Sequence, residues 1–323
     1  MEDTMPEQNQ KEKIIIIGSG PAGYTAAIYA ARAGLSPLMI TGTLEGGQIT
    51  ETQELGNWPG EPEPITGFDL MDKMKKQAAG YGVRFQNDTV LAIAKHDGTV
   101  TLQCEKGTAE AEAVIISTGA SPRRLAINGE AEFWGQGVSS CATCDGLFYR
   151  KKRTAVIGGG NTAVLDAIYL AGLCREVHLI HRRDGFRCDK YSLDRMYALA
   201  EQGKITLHLG YTADEILGTP GDGVTGIRIK SVTDGKTEDI ACDGVFEAIG
   251  HIPSTKPFPK ELLDEKGYIV TGKDETYRTM TAIPGVFAAG DCCEPVYKQA
   301  ILAAGDGCRA ALEAESWLGT QRQ

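Results

Sequence analysis

Cys141 and Cys144 stand two residues apart in SSCATCDG, and two thiols at that spacing can do three kinds of chemistry. They can supply half of a zinc site, close a structural disulfide, or cycle between dithiol and disulfide. A structural zinc site commonly takes four ligands in two pairs, and the chain has one Cys-x-x-Cys with no second pair at ligand spacing, so no metal is expected. The other cysteines (Cys104, Cys174, Cys188, Cys242, Cys292, Cys293 and Cys308) are scattered or adjacent, not arranged as a disulfide framework. A plain buried pair is the bland alternative. CATCDG, polar and bounded by glycine, reads against it as an exposed turn. Beside a strand–helix–strand unit, the pair reads as a redox centre.

Two such units are written in the chain. EKIIII, residues 12–17, is a short apolar run expected to be a buried parallel strand. It enters GSGPAG, with Gly18, Gly20 and Gly23 at Gly-x-Gly-x-x-Gly spacing around Pro21 and Ala22. YTAAIYAARAG then has helical spacing, and LSPLMIT reads as a second strand. The plan returns in RTAVIGGGNTAVLDAIYLAGLCREVHLIHRR, where Gly158, Gly160 and Ala163 form the Gly-x-Gly-x-x-Ala variant with Asn161 and Thr162 between. In this turn the first glycine permits the bend and the second lets a pyrophosphate approach the backbone. The third small residue lets helix and strand pack. The fold class expected is α/β with two Rossmann-like dinucleotide-binding domains.

The residues after each second strand separate the two sites. An acid about 20 residues beyond the turn would bind a ribose 2′-hydroxyl. After the second turn Arg182, Arg183 and Arg187 stand there instead, following His181, and suit the 2′-phosphate of NADPH. After the first turn the strand ends in Thr41, with Glu45 nearby in TGTLEGGQ. A hydride does not ordinarily reduce a disulfide directly, whereas a flavin can take the hydride and pass two electrons to sulfur. The first site is therefore best filled by FAD.

The remaining chain sets the organisation. AEAVIISTGAS (111–121) and CDGVFEAIGHIPST (242–255) are apolar strands running into glycine turns, read as two crossings between domains. Residues 1–120 and 250–323 are then a discontinuous FAD domain and 121–249 an inserted NADPH domain carrying the cysteines. IPGVFAAGDC reads as a strand and loop, Val296 to Leu318 as a helix, and residues 1–11 as a disordered tail. The 323 residues carry a net charge of −10, which argues against sequence-independent binding to nucleic acid or to an anionic membrane. No signal peptide or spanning run is visible, so a cytoplasmic location is expected.

Taken together, GSGPAGYTAAIYAAR, SCATCDG, GGGNTA, HRRDGFR and GVFAAGD resemble, in order and over about residues 12–318, the low-molecular-weight, prokaryotic-type thioredoxin reductases. The resemblance implies FAD contacts at Thr41, Gly42, Gly47, Gln48, Asn57, Gly290, Asp291, Lys298, Gln299 and Ala300. Asp291 would hold the ribityl chain, and Gln299 would open the last helix beneath the flavin. It implies a Cys141–Cys144 disulfide with Cys144 facing the flavin and Cys141 attacking the partner, Asp145 as acid–base group, thioredoxin as acceptor, a homodimer, and rotation of the inserted domain about linkers near 118–124 and 248–254. A related flavin reductase serving a peroxiredoxin system is the alternative. The chain departs from the family pattern at Gln136, where a basic residue is frequent, at Leu147, where phenylalanine is, and at Leu165, where an acid is. Cys292 and Cys293 beside Asp291 are unusual, and as loop residues they need no chemical role.

Overall fold

The computed structural model describes residues 11–273 and 275–321, so the tail expected over residues 1–11 lies, except for Lys11, outside the described residues. The chain divides into two compact units, one ending at Ser121 and resuming at Ile252, the other spanning Pro122–His251.

The first unit opens with β1 (Glu12–Ile17), α1 (Pro21–Arg32), β2 (Leu38–Ile40), α2 (Gly67–Gly80), β3 (Arg84–Gln86), β4 (Val90–His96), β5 (Thr99–Cys104) and β6 (Gly107–Ile116). These strands form one sheet in the order β3-β2-β1-β6-β5-β4, parallel from β3 to β6 and antiparallel over the β4–β5–β6 end. Successive side chains of a strand point to opposite faces, so a strand covered on both sides must be apolar throughout. The four isoleucines of β1 meet that demand. Ile14 and Ile16 join one buried cluster with Ala27 and Trp317, and Ile15 and Ile17 another with Leu102 and Phe258. Thr66 caps α2, its hydroxyl accepting from the Asp69 amide at 3.0 Å.

The first crossing holds β7 (Ala120–Pro122), and the second unit comprises α3 (Glu130–Phe133), β8 (Val138–Ser139), α4 (Ala142–Asp145), β9 (Arg153–Ile157), α5 (Asn161–Ala171), β10 (Glu176–His181), α6 (Lys190–Glu201), β11 (Ile205–Leu209), β12 (Tyr211–Thr219), β13 (Gly223–Ser231), β14 (Thr237–Ala241) and β15 (Gly244–Glu247). A parallel sheet runs β11-β10-β9-β15-β8, and β12, β13 and β14 form an antiparallel meander. The meander covers one face, where Ile227, Ile229 and Ile240 pack with Ala155, Ile157 and Val245. Helix α5 covers the other, with Val164, Ala167 and Leu170 against Val156 and Leu179.

The return crossing holds β16 (His251–Pro253). The chain then adds β17 (Val286–Ala288), parallel to β6, and ends in α7 (Ala300–Thr320). The last helix starts at Ala300, not at Val296 as its composition suggests. Glu294 Oε1 accepts the amides of Val296 at 2.6 Å and Tyr297 at 3.0 Å, holding the segment after Pro295 in a turn. Helix α7 lies so close to α1 that a Cβ on Gly307 would fall 2.0 Å from the Ala22 carbonyl oxygen. Among the described residues no helix is long and apolar enough to cross a membrane.

Candidate active site and nucleotide turns

The two cysteines sit at the edge of the second sheet. Strand β8 pairs with β15, Val138 opposite Val245 and Ser139 opposite Phe246, and delivers Cys141 to the start of α4 as its N-cap. Cys141 and Cys144 are disulfide-bonded, S–S 2.08 Å, with Cα atoms 5.3 Å apart, the one-turn spacing that lets residues i and i+3 meet. The Cys144 amide donates to Cys141 Sγ at 3.2 Å. CATCDG is thus not the exposed turn expected but a helical turn, half-buried at both cysteines. Ala142 is buried, and a Cβ on Gly146 would press Leu170 and Tyr169 of α5.

Ser139 organises the pair. Its hydroxyl accepts the Cys141 amide at 3.0 Å and donates to Asp145 Oδ2 at 2.5 Å. Burial raises Asp145 above the ordinary carboxylate range, and the serine works against that. Sequence reasoning passed over Ser139; its one signal is its place two residues before the first cysteine. Beyond Asp145 the surface opens. Leu147 is 60% and Phe148 42% exposed. A cleft of about 280 Å³ beside them is lined by Gln136, Phe148, Tyr149, Lys152, Asp222 and Asp243.

The first glycine turn is crowded on one side and open on the other. Gly18 has φ +102°, and a Cβ there would lie 2.4 Å from the Ser117 carbonyl oxygen. The Gly20 Cβ position has no neighbour closer than 4.0 Å. Ser19, also not singled out from the sequence, ties the turn to the Thr41–Gln48 loop. Its hydroxyl donates to the Thr41 carbonyl at 2.8 Å and accepts the Gly46 amide at 3.0 Å. Gly47 packs against Gly20, and Gly290 against Ala22. Thr41, Gly42, Gly47, Gln48, Pro21, Ala22, Gly23 and Gly290 thereby gather at the start of α1. Asp291 follows in a short 3₁₀ turn, and burial lifts its carboxyl to about 6 although Lys298 pulls it down. Asn57 and Gln299, distant in sequence, meet at 3.4 Å, with Gln299 the N-cap of α7 before Ala300. Glu45 is engaged by Lys75 at 2.7 Å and Tyr24 at 3.3 Å. Cys292 is fully buried, its thiol against the Ile116 and Ala289 carbonyls at 3.5 and 3.4 Å.

The second turn repeats this plan. Gly158 has φ +155°, a Cβ there would lie 2.4 Å from the Ala248 carbonyl oxygen, and the Gly160 Cβ position is open. The His181 ring fills the space a side chain at Gly159 would need, stacks on Phe186, and has a buried Nε2 with no hydrogen-bond partner among the described residues. Burial, reinforced by the neighbouring arginines, holds His181 below its ordinary pKa. Arg182, Arg183 and Arg187 are exposed, and the Arg187 amide donates to the Gly159 carbonyl at 2.8 Å, pinning the arginine loop to the turn. Asn161 is 3.2 Å from the Asp189 amide, Thr162 is exposed and Ala163 buried. Leu165 is 46% exposed, and the adjacent Asp166 is buried and pushed up to about 7. Among the described residues no three His, Cys, Asp or Glu side chains cluster as a metal site.

Two strand–turn–helix cradles with open mouths, and a disulfide on the unit of the second, define a two-nucleotide disulfide oxidoreductase. The chain matches the family described as pyridine nucleotide-disulphide oxidoreductase over residues 12–307, and it belongs to that family, which implies use of a flavin and a nicotinamide nucleotide. It is 47% identical to a thioredoxin reductase of Vibrio cholerae, covering 96% of this chain and 97% of that one. It is 48% identical to a glucosaminate ammonia-lyase of Pseudomonas fluorescens, covering 95% of each. The solved thioredoxin reductase from Streptococcus pyogenes superposes with a TM-score of 0.88 at 36% identity, over 97% of this chain and all of that one.

Proposed function

We propose that the protein is a thioredoxin-disulfide reductase, with FAD held by the unit ending at Ser121 and resuming at Ile252 and NADPH by the inserted unit. The observation that carries this reading is the Cys141–Cys144 disulfide, which shares a unit with the second glycine turn and its three arginines.

Both cradles fit a nucleotide. The open faces at Gly20 and Gly160 leave room for pyrophosphate at a helix N-terminus. Gly18, Gly20, Pro21, Ala22, Gly23, Thr41, Gly42, Gly47, Gln48, Asn57, Gly290, Asp291, Lys298, Gln299 and Ala300 would hold FAD. Gly158, Gly160, Asn161, Thr162, Ala163 and His181 would hold NADPH, with Arg182, Arg183 and Arg187 on its 2′-phosphate. When bound, the flavin supplies a two-electron path from the nicotinamide to sulfur.

The chain's own residues do the thiol chemistry. The net step breaks the S–S bond, and NADPH, a proton and the disulfide become NADP⁺ and two thiols. Cys141 then attacks the thioredoxin disulfide as a thiolate, and Cys144 displaces the reduced partner and restores the bond. Asp145, raised by burial, moves a proton to or from a thiol, with Ser139 fixing its carboxyl. The exposed Leu147 and Phe148, just after the second cysteine, offer the partner a surface, and Phe148 also lines the cleft with Gln136. The disulfide must meet both the flavin and the partner, and rotation of the inserted unit about the crossings reconciles the two. A cross-link between the units should block turnover and spare one half-reaction; unchanged turnover would sink the rotation. The seven free cysteines suit a reducing cytoplasm, and a homodimer, checked by sedimentation, completes the reading.

The decisive experiment is anaerobic. Protein is mixed with NADPH and oxidised thioredoxin, and NADPH loss and new thiols are followed, with Cys144→Ser as control. Stoichiometric thiols from wild type alone are expected. Flavin bleaching without thiols would point to another acceptor, such as a peroxiredoxin-linked one. The ammonia-lyase relative favours one control, ammonia release from glucosaminate. A redox disulfide contributes nothing to that elimination, so none is expected.

A further inference from the structure

Two carboxyl groups meet in the inserted unit outside every role assigned above. Glu130, at the start of α3, is 3% exposed. Its Oε1 accepts the Leu125 amide at 3.2 Å, its Oε2 accepts the Ile127 amide at 3.3 Å, and the Arg124 guanidinium lies 3.7 Å from Oε1. Glu247, the last residue of β15, is 2% exposed, and among the described residues neither of its buried oxygens makes a hydrogen bond of good geometry, although the Leu125 amide that Glu130 accepts also faces it and favours its charged form. The two carboxyls face each other. Arg124, which also lies over the Trp134 ring, turns its positive charge on Glu247 as well. The flanking positions are apolar: Ile157 opposite it on β9, and the cluster of Val138, Val245, Ile216 and Val224.

Two buried carboxylates in contact cannot both ionise without a large penalty. Glu130 already accepts two amides and lies beside an arginine, so the shared proton resides on Glu247. A proton on Glu247 turns an acceptor into a donor and gives the pair a hydrogen bond.

We propose that Glu130 and Glu247 share one proton and serve as a positioning pair that clamps the roots of both chain crossings. Glu130 grips the amides of the incoming segment, and Glu247 ends the strand from which the outgoing segment leaves. The two segments are also joined by the Arg123 amide, which donates to the Gly250 carbonyl at 2.9 Å. The next residue, Ala248, packs its carbonyl against Gly158, so the clamp stands one residue from the nucleotide turn. Burial, with Glu130 adding to it, lifts Glu247 to about 8. The folded state therefore holds a proton that the unfolded chain has released, and stability from this group falls as pH rises from about 4.5 to about 8, then levels.

The test uses the full-length flavoprotein. Infrared titration of wild type should show the carbonyl stretch of a protonated carboxyl that is absent from Glu247→Gln and is lost with a one-proton midpoint near 8. The melting temperature of Glu247→Gln minus that of wild type should widen with pH across that window and then stay constant. NADPH turnover of wild type should decline through the same midpoint, and that of Glu247→Gln should stay level across it. Should Glu247→Gln fail to fold, Glu130→Gln decides, because removing the facing charge must lower the midpoint. An unchanged infrared spectrum in Glu247→Gln, a pH-independent melting difference, or an unmoved midpoint in Glu130→Gln overturns the shared proton. A turnover profile identical in wild type and Glu247→Gln overturns the positioning role.

Discussion

The two glycine turns are one device used twice, and their differences show where specificity enters. In each, the first glycine takes a left-handed φ and lies against a carbonyl oxygen, Ser117 for Gly18 and Ala248 for Gly158, at the same 2.4 Å from a notional Cβ. In each, the middle glycine leaves open space. The third position diverges. A Cβ on Gly23 would lie 2.0 Å from the Gly18 carbonyl oxygen, whereas the second turn accommodates the real Cβ of Ala163. Six residues into the helices, α1 carries Ala26 and α5 carries Asp166, both buried. The mouths differ most. The first is lined by a loop without a cation, its one charge the acid Glu45, tied through Ser19, and the second by three exposed arginines tied through Arg187. On the proposed reading the backbone makes a pyrophosphate cradle, and the residues after the next strand choose the nucleotide.

The comparison breaks hardest at the third position. Gly23→Ala places the second turn's own residue in the first. It should cost on the order of 3 kcal/mol by overpacking backbone against backbone, visible in urea unfolding and in loss of bound flavin. An unaffected variant would mean that the turns are interchangeable. Replacing Arg182, Arg183 and Arg187 together by alanine should raise KM for NADPH about 100-fold, roughly 2.7 kcal/mol, and leave KM for NADH nearly unchanged. Equal losses for both nucleotides would remove the arginines from the 2′-phosphate. Asp166→Ala copies Ala26 into α5. The wild-type carboxyl stays protonated in the fold up to about 7. Wild-type stability from this group therefore falls as pH rises from about 4 to about 7, and the stability of the variant relative to wild type should climb by on the order of 2 kcal/mol between about pH 4 and about pH 6. Calorimetry at the two ends measures this. The smallest effect belongs to Ala163→Gly, which removes a helix-favouring residue for about 1 kcal/mol without opening a clash, read from thermal unfolding with NADPH affinity retained.

Much of this architecture was legible because local pattern and tertiary role coincide. Four consecutive isoleucines in EKIIII read as a strand covered on both faces, and a glycine turn between strand and helix has few other uses. The antiparallel hairpin β4–β5 was also signalled, by Asp97-Gly98, both with positive φ, but no functional motif drew attention to it. The start of α7 was misjudged because a glutamate side chain, Glu294, holds two backbone amides, and composition does not report such a bond. Ser139 and Ser19 escaped notice for the same reason. A serine becomes informative only when its hydroxyl is seen to join two segments.

The sequence by itself determined the class of chemistry: thiols at one-turn spacing, two cradles, and arginines where an acid would select the other nucleotide. These follow from residue type and short spacing, which survive without coordinates. Only the tertiary structure decided which carboxyls hold their protons more tightly than an ordinary acid. Asp145, Asp166, Asp291 and Glu247 are ordinary acids in the sequence, and each is raised because the fold withdraws water from it. Desolvation depends on everything packed around a group, and that surrounding is assembled from residues far apart in the chain.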